Sequence, residues 1–147
     1  MKLIPLTPPI IERLKSMELF ALLNPAGLAH LLSRVKIVKI AEETLVLKCG
    51  TLGKELCIIL EGEASVWNDE GGDIVEYAQL GSDDLFGEMS ALMNTPRSAN
   101  VSAKTELLVA VLLKDDIQEL LKISPSFKEF LSQLGLQREE ENLEHLF

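Results

Sequence analysis

The sequence predicts a mainly β fold with flanking helices, a double-stranded β-helix of the jelly-roll or β-roll kind with short N-terminal helices and a C-terminal helical lid. Three observations carry this. Between about Val35 and Leu113, short β-prone runs are punctuated by Gly50, Gly53, Gly62, Gly71-Gly72, Gly81 and Gly87. On both sides of that stretch, apolar residues return at helical spacing. Several short strands separated only by turns suit a sandwich or barrel, not a doubly wound parallel sheet.

Taken in order, Thr7-Pro8 is a helix start, a capping residue followed by proline in the first turn, and Ile10, Leu14 and Met17 continue it at helical spacing. Asn24-Pro25 repeats the signal, with Leu28, Leu31 and Leu32 as the apolar stripe. The strand runs are Leu56–Leu60, Ala64–Trp67, Ile74–Leu80, Ala99–Ala103 and Leu107–Leu113. Asp69-Glu70-Gly71-Gly72 makes a hairpin tip between the second and third of them. Ala99, Val101 and Ala103 face one way and Asn100 and Ser102 the other, whereas Leu107–Leu113 is apolar throughout and reads as a strand buried on both faces. Helical spacing resumes with Ile117, Leu120 and Leu121. Ser124-Pro125 starts a last helix carrying Phe127, Phe130, Leu131 and Leu134. Gly135 interrupts that helix at a cost of about 1 kcal/mol relative to alanine. The polar, mostly acidic run from Gln137 to Asn142 leaves the core. The organisation is one domain: a helical segment over 1–34, a β-roll over 35–113 and C-terminal helices over 114–147.

Composition narrows the function. The chain has 147 residues, 47% of them hydrophobic and 25% charged, which is a globular composition with enough apolar mass for a core. A net charge of −9 argues against nucleic-acid binding through this chain, because a phosphate backbone requires a basic surface; a local positive site for a small anion remains compatible. Cys49 and Cys57 lack a metal-binding spacing and read as core thiols. The first nine residues contain three prolines and no signal-peptide pattern, and no apolar run approaches the ~20 residues of a membrane span, so a cytoplasmic protein without a membrane segment is expected.

A jelly roll could also house a metal-dependent enzyme, but such a site needs two or three histidines with a carboxylate, and the chain has only His30 and His145. No Ser-His or Cys-His arrangement and no GxSxG elbow is present either. The expectation is a protein with no catalytic residues, no metal and no cofactor.

One interval breaks the strand rhythm. Leu80-Gly81 is followed by the polar run from Ser82 to Asp84, then by Leu85-Phe86-Gly87-Glu88-Met89-Ser90 and, after a Thr95-Pro96 turn, by Arg97-Ser98-Ala99. Residues 88–93 are helix-forming and follow a glycine, so a short helix starts near Gly87. Its unpaired N–H groups and positive end would suit an anion. Arg97, nine residues beyond Glu88, opens a strand and brings a planar fork that matches phosphate oxygens. Glu88 would repel a phosphate and therefore fits a sugar hydroxyl. These residues alone reach as far as a phosphorylated sugar.

Phe86-Gly87-Glu88, followed at this spacing by Pro96-Arg97-Ser98-Ala99, resembles the phosphate-binding cassette of the cyclic-nucleotide-binding domain family, here residues 86–101. Ile58-Ile59-Leu60-Glu61-Gly62-Glu63 resembles that family's central strand and turn, and Leu19-Phe20 before Asn24-Pro25 its N-terminal helices; the likeness runs from about residue 10 to 135. It implies a regulatory domain that senses a cyclic nucleotide, cAMP favoured over cGMP. Its ligand-binding set would be Phe86, Gly87, Glu88, Met89, Ser90, Arg97, Ser98 and Ala99. Arg97 would hold the exocyclic phosphate oxygens and Glu88 the ribose 2′-hydroxyl, with N–H groups near Gly87, Met89 and Ser90 lining phosphate and sugar. Ser98 would reach a phosphate oxygen or a guanine amino group, while Phe86 suits packing better than contact. Leu131, Leu134 and Leu136 are candidates for a purine lid, and Phe127, Phe130 and Leu134 for a homodimer or effector contact. The sequence departs from the family at Asn100, where threonine is commoner, and at Cys49, where a polar or acidic residue is frequent. Family members carry this domain joined to DNA-binding, kinase or channel parts, so the chain is expected to be a stand-alone sensor or part of a larger protein. The rival reading is a docking or dimerisation module of the same fold with no ligand in its pocket.

Overall fold

Alternating apolar residues, short turns and two small sheets are what the computed structural model shows between Lys36 and Leu113; it describes residues 1–87, 96–127 and 129. The elements are β1 (Lys2–Ile4), α1 (Pro8–Lys15), α2 (Glu18–Ala21), α3 (Pro25–Arg34), β2 (Lys36–Ile40), β3 (Leu45–Leu47), β4 (Glu55–Glu61), β5 (Ala64–Glu70), β6 (Asp73–Leu80), β7 (Leu85–Phe86), β8 (Asn100–Ala103), β9 (Leu107–Leu113) and α4 (Lys114–Ile123). Met1–Leu6 and Lys36–Lys114 form one compact unit; Thr7–Val35 and the described residues beyond Lys114 form a second.

The first unit is the β-roll. One sheet runs β1-β2-β9-β4-β7 and the other β3-β8-β5-β6, and every pairing is antiparallel. Ile40, Cys57, Ile59, Phe86, Leu107 and Val109 from the first sheet meet Ala64, Val101 and Ala103 from the second, so the core lies between the sheets. β8 alternates as its sequence predicts, with Val101 and Ala103 inward and Asn100 and Ser102 half-buried. β9 sits between β2 and β4, and four of its seven residues, Leu107, Val109, Ala110 and Leu112, are buried. β5 and β6 are joined by Gly71-Gly72, both at positive φ (67° and 94°), the two-residue turn whose twist matches the strands it joins.

In the second unit Asn24 does three things. Its side chain accepts from the Gly27 N–H at 2.8 Å and caps α3, its amide donates to the Ile123 carbonyl at 2.9 Å, and its backbone N–H donates to Ser124 Oγ at 3.2 Å. Phe20 and Phe127 stack with centroids 6.5 Å apart. No helix among the described residues is long and apolar enough to cross a membrane.

The structure corrects the sequence reading in four places. Thr7 occupies the N-cap position of α1, but its side chain makes no capping bond. The proline-rich start contributes β1, and α2, β2, β3 and β7 are further elements that the sequence reading did not delimit. Cys57 is buried, but Cys49 is only half-buried on the loop before β4 and is not a core thiol. Arg97 does not open a strand; β8 begins at Asn100.

Candidate functional site

Two segments far apart in sequence are laced together ahead of β8. The Arg97 N–H donates to the Thr51 carbonyl and the Gly50 N–H donates to the Arg97 carbonyl, each at 2.8 Å. This exchange continues the β3–β8 pairing beyond Leu47↔Val101, and it fixes the Arg97 backbone against the loop between β3 and β4. The side chain then turns inward, and the residue retains 7% exposure.

The guanidinium lies where two glycines leave room for it. A Cβ at Gly53 would overlap the guanidinium carbon and its nitrogens. Gly87 follows β7, has φ +84°, and a Cβ there would stand 2.6 Å from the Glu55 carbonyl oxygen and 2.8 Å from Arg97 Nη1. The pairing Cys57↔Phe86 and Ile58↔Leu85 brings Gly87 alongside the start of β4. A bare backbone at both positions is therefore a condition for the arginine to occupy this seat.

The electrostatics are lopsided. Arg97 Nη2 donates to Glu55 Oε2 at 3.2 Å, and the Glu55 side chain is 47% exposed while that of Arg97 is 5% exposed. Arg97 Nη1 is buried and has no hydrogen-bond partner among the described residues. A guanidinium carries five donors, and a buried donor without an acceptor costs free energy. Nη1 is thus a cationic donor beside Gly87 with capacity for an anion's oxygen.

The remaining residues of the sequence-predicted set are distributed as follows. Phe86 is 2% exposed and its ring belongs to the core, so only its backbone borders the site. Ala99 is buried. Ser98 is exposed, and its carbonyl accepts from Asn68 Nδ2 at 3.3 Å. Glu88, Met89 and Ser90 lie outside the described residues, as do Phe130, Leu131, Leu134, Gly135 and Leu136. Sequence reasoning missed Glu55. The available signal was an acidic residue opening a strand whose next five residues are apolar, two positions after Gly53, but its arginine partner is 42 positions away.

Comparison with known proteins agrees with the fold. The family described as "Cyclic nucleotide-binding domain" matches residues 37–124. A cyclic nucleotide-gated potassium channel of Rhizobium etli is 28% identical over 123 residues, which are 84% of this chain and 33% of the channel. The chain thus spans about a third of that relative's length. Among solved structures, the catabolite activator protein of Thermus thermophilus aligns with a TM-score of 0.75 and 28% identity, over 87% of this chain and 61% of that one. A cyclic nucleotide-binding domain from Methylobacillus flagellatus aligns with a TM-score of 0.72 and 27% identity, over 93% of this chain and 80% of that one.

Proposed function

This chain belongs to the cyclic nucleotide-binding domain family, and from that premise we propose that it is a regulatory sensor of a 3′,5′-cyclic nucleotide, cAMP in preference to cGMP. Arg97 holds the cyclic phosphate, the backbone that starts at Gly87 and runs through Met89 and Ser90 lines phosphate and sugar, and Glu88 accepts from the ribose 2′-hydroxyl. The hydroxyl of Ser98, exposed next to Arg97, reaches a phosphate oxygen or the purine.

One observation carries this reading: a buried arginine seated against Gly53 and Gly87 with its Nη1 unpaired among the described residues. A phosphate oxygen supplies the acceptor that Nη1 lacks, and a charge-assisted bond of that kind contributes about 1.5–3 kcal/mol. The binding signal passes to the C-terminal helices and through them to a second copy or to an effector domain. That transmission requires the ligand to bind one arrangement of those helices better than another, by roughly 1–3 kcal/mol.

Separate calorimetric titrations of cAMP and cGMP into the protein, with Arg97→Ala alongside, test the proposal. Saturable binding that Arg97→Ala abolishes is the expected result, and the tighter nucleotide fixes the preference. No heat and no thermal stabilisation at millimolar nucleotide would replace it with a docking module, in which Glu55 alone compensates Arg97.

A further inference from the structure

We infer that Asn100 is a positioning residue for Arg97, acting through the loop that carries Cys49, Gly50 and Thr51; the consequence for ligand rests on the reading that Arg97 holds a phosphate. Arg97 is only as well placed as the loop it is laced to, because both of its backbone bonds go to Gly50 and Thr51. That loop is anchored one residue earlier, where the Cys49 N–H donates to Asn100 Oδ1 at 2.8 Å. The other end of the same amide, Asn100 Nδ2, faces Asn68 Oδ1 on β5 at 3.4 Å, and Asn68 Nδ2 donates to the Ser98 carbonyl at 3.3 Å.

The links close a ring from Asn100 to the loop, from the loop to Arg97, along the chain to Ser98, across to Asn68 and back. Asn100 itself is held in register opposite Trp67 in the β5–β8 ladder. A side chain in this place must accept from Cys49, and a primary amide can also donate toward Asn68. The Cys49 bond is the short one and bears most of the link; the contact to Asn68 is long and adds less. The donor is the backbone N–H of Cys49, so the bond depends on the side chain at position 100 and not on the one at position 49. A guanidinium seated between two glycines tolerates little displacement of its own Cα, and sites of this kind depend on such supporting bonds to stay within about 0.5 Å of their working geometry.

The test compares Asn100→Ala, Asn100→Asp and Val101→Ala in the full chain by two measurements. The first is amide hydrogen exchange at Gly50 and Arg97 in the free protein, referenced to Val109 and Ala110 in the middle of β9, which report global opening. The second is affinity for cAMP. Asn100→Ala is expected to lower protection at Gly50 and Arg97 by about fivefold to tenfold relative to the reference amides, and to lower cAMP affinity by a similar factor. Asn100→Asp keeps the acceptor for Cys49 and should restore the protection. Val101→Ala, a core truncation on the same strand, should shift all these amides together. Unchanged relative protection in Asn100→Ala overturns the inference, as does an equal selective loss in Val101→Ala. If the wild-type protein takes up no cyclic nucleotide, the functional reading above fails, while the exchange measurement still decides whether Asn100 holds Arg97.

Discussion

Arg97 and Glu55 face each other at 3.2 Å across very unequal solvation, the guanidinium almost wholly enclosed and the carboxylate about half in water. The arginine therefore depends on its partner more than the carboxylate does. Glu55→Gln keeps an oxygen in place and removes the charge. In the free protein this is expected to lower stability by about 0.5–1 kcal/mol, the scale of a partly exposed pair. In the presence of a phosphate ligand the same change removes a like charge from the neighbourhood, and cyclic-nucleotide affinity should rise about fivefold, the worth of roughly 1 kcal/mol between charges a few ångströms apart. Urea unfolding and calorimetry on one preparation read both effects. A variant that is less stable and also binds more weakly would show that Glu55 orients the arginine for its ligand instead of competing with that ligand.

Gly53→Ala should separate binding from folding. The added methyl group would collide with the arginine's guanidinium, and that is the far end of a flexible chain. No positive φ is required at Gly53, so the backbone accepts alanine without strain. The arginine gives way and leaves its seat. The expected outcome is a melting temperature within a few degrees of wild type and a loss of cyclic-nucleotide affinity of about a hundredfold or more, close to that of Arg97→Ala. Retained affinity would mean that the guanidinium does not hold the ligand from this seat.

Gly87→Ala makes the same chemical change with the opposite balance. Its φ of +84° penalises any L side chain by about 1–2 kcal/mol, and the new Cβ would press at 2.6 Å on the Glu55 carbonyl, which is backbone and cannot swing aside. Stability should fall by at least about 2 kcal/mol, more than in Gly53→Ala, in denaturant unfolding with unchanged m-value. Equal costs for the two alanines would show that β7 yields at Gly87 and that the register there is soft.

These contrasts also mark what the sequence could reveal. Alternation in β8, unbroken apolar runs in β4 and β9, and glycine punctuation throughout placed β4, β5, β6, β8 and β9 to within a residue or two at their starts; only at β5 did the predicted run stop well short, at Trp67 instead of Glu70. β7 has two residues and β1 and β3 three each, too few for a period, and they are strands through the partners they pair with. β2 shows no clean alternation either, since its buried residues Ile37 and Ile40 are three apart, and it follows directly on α3, which obscured its start. In the site, Arg97 was legible from its motif. Glu55 was not, because its meeting with Arg97 depends on the register of β4 against β7 and on the loop pairing at Gly50 and Thr51. The need for glycine at position 53 was invisible for the same reason.

The hairpin of β5 and β6 gives a prediction in pH. Glu76 Oε2 accepts from Ser65 Oγ at 2.6 Å and Oε1 from Gln79 Nε2 at 3.0 Å, with Lys104 Nζ 3.7 Å from the carboxylate. The hydrogen bond from Ser65, then that from Gln79, hold this carboxyl below its ordinary value of 4.5, and Lys104 adds to the effect. A carboxyl depressed by folding releases its proton more readily in the folded state, so its contribution to stability is complete above about pH 4.5 and is lost as pH falls through the lower folded value. Glu76→Gln lacks that contribution at every pH. The wild-type protein should therefore exceed Glu76→Gln in urea midpoint at pH 6, by a small margin because the group is well exposed. Below pH 4.5 the two midpoints should converge progressively as the folded carboxyl takes up its proton. A margin that does not narrow with acidification below pH 4.5 would mean that the bonds from Ser65 and Gln79 do not depend on the charge of Glu76.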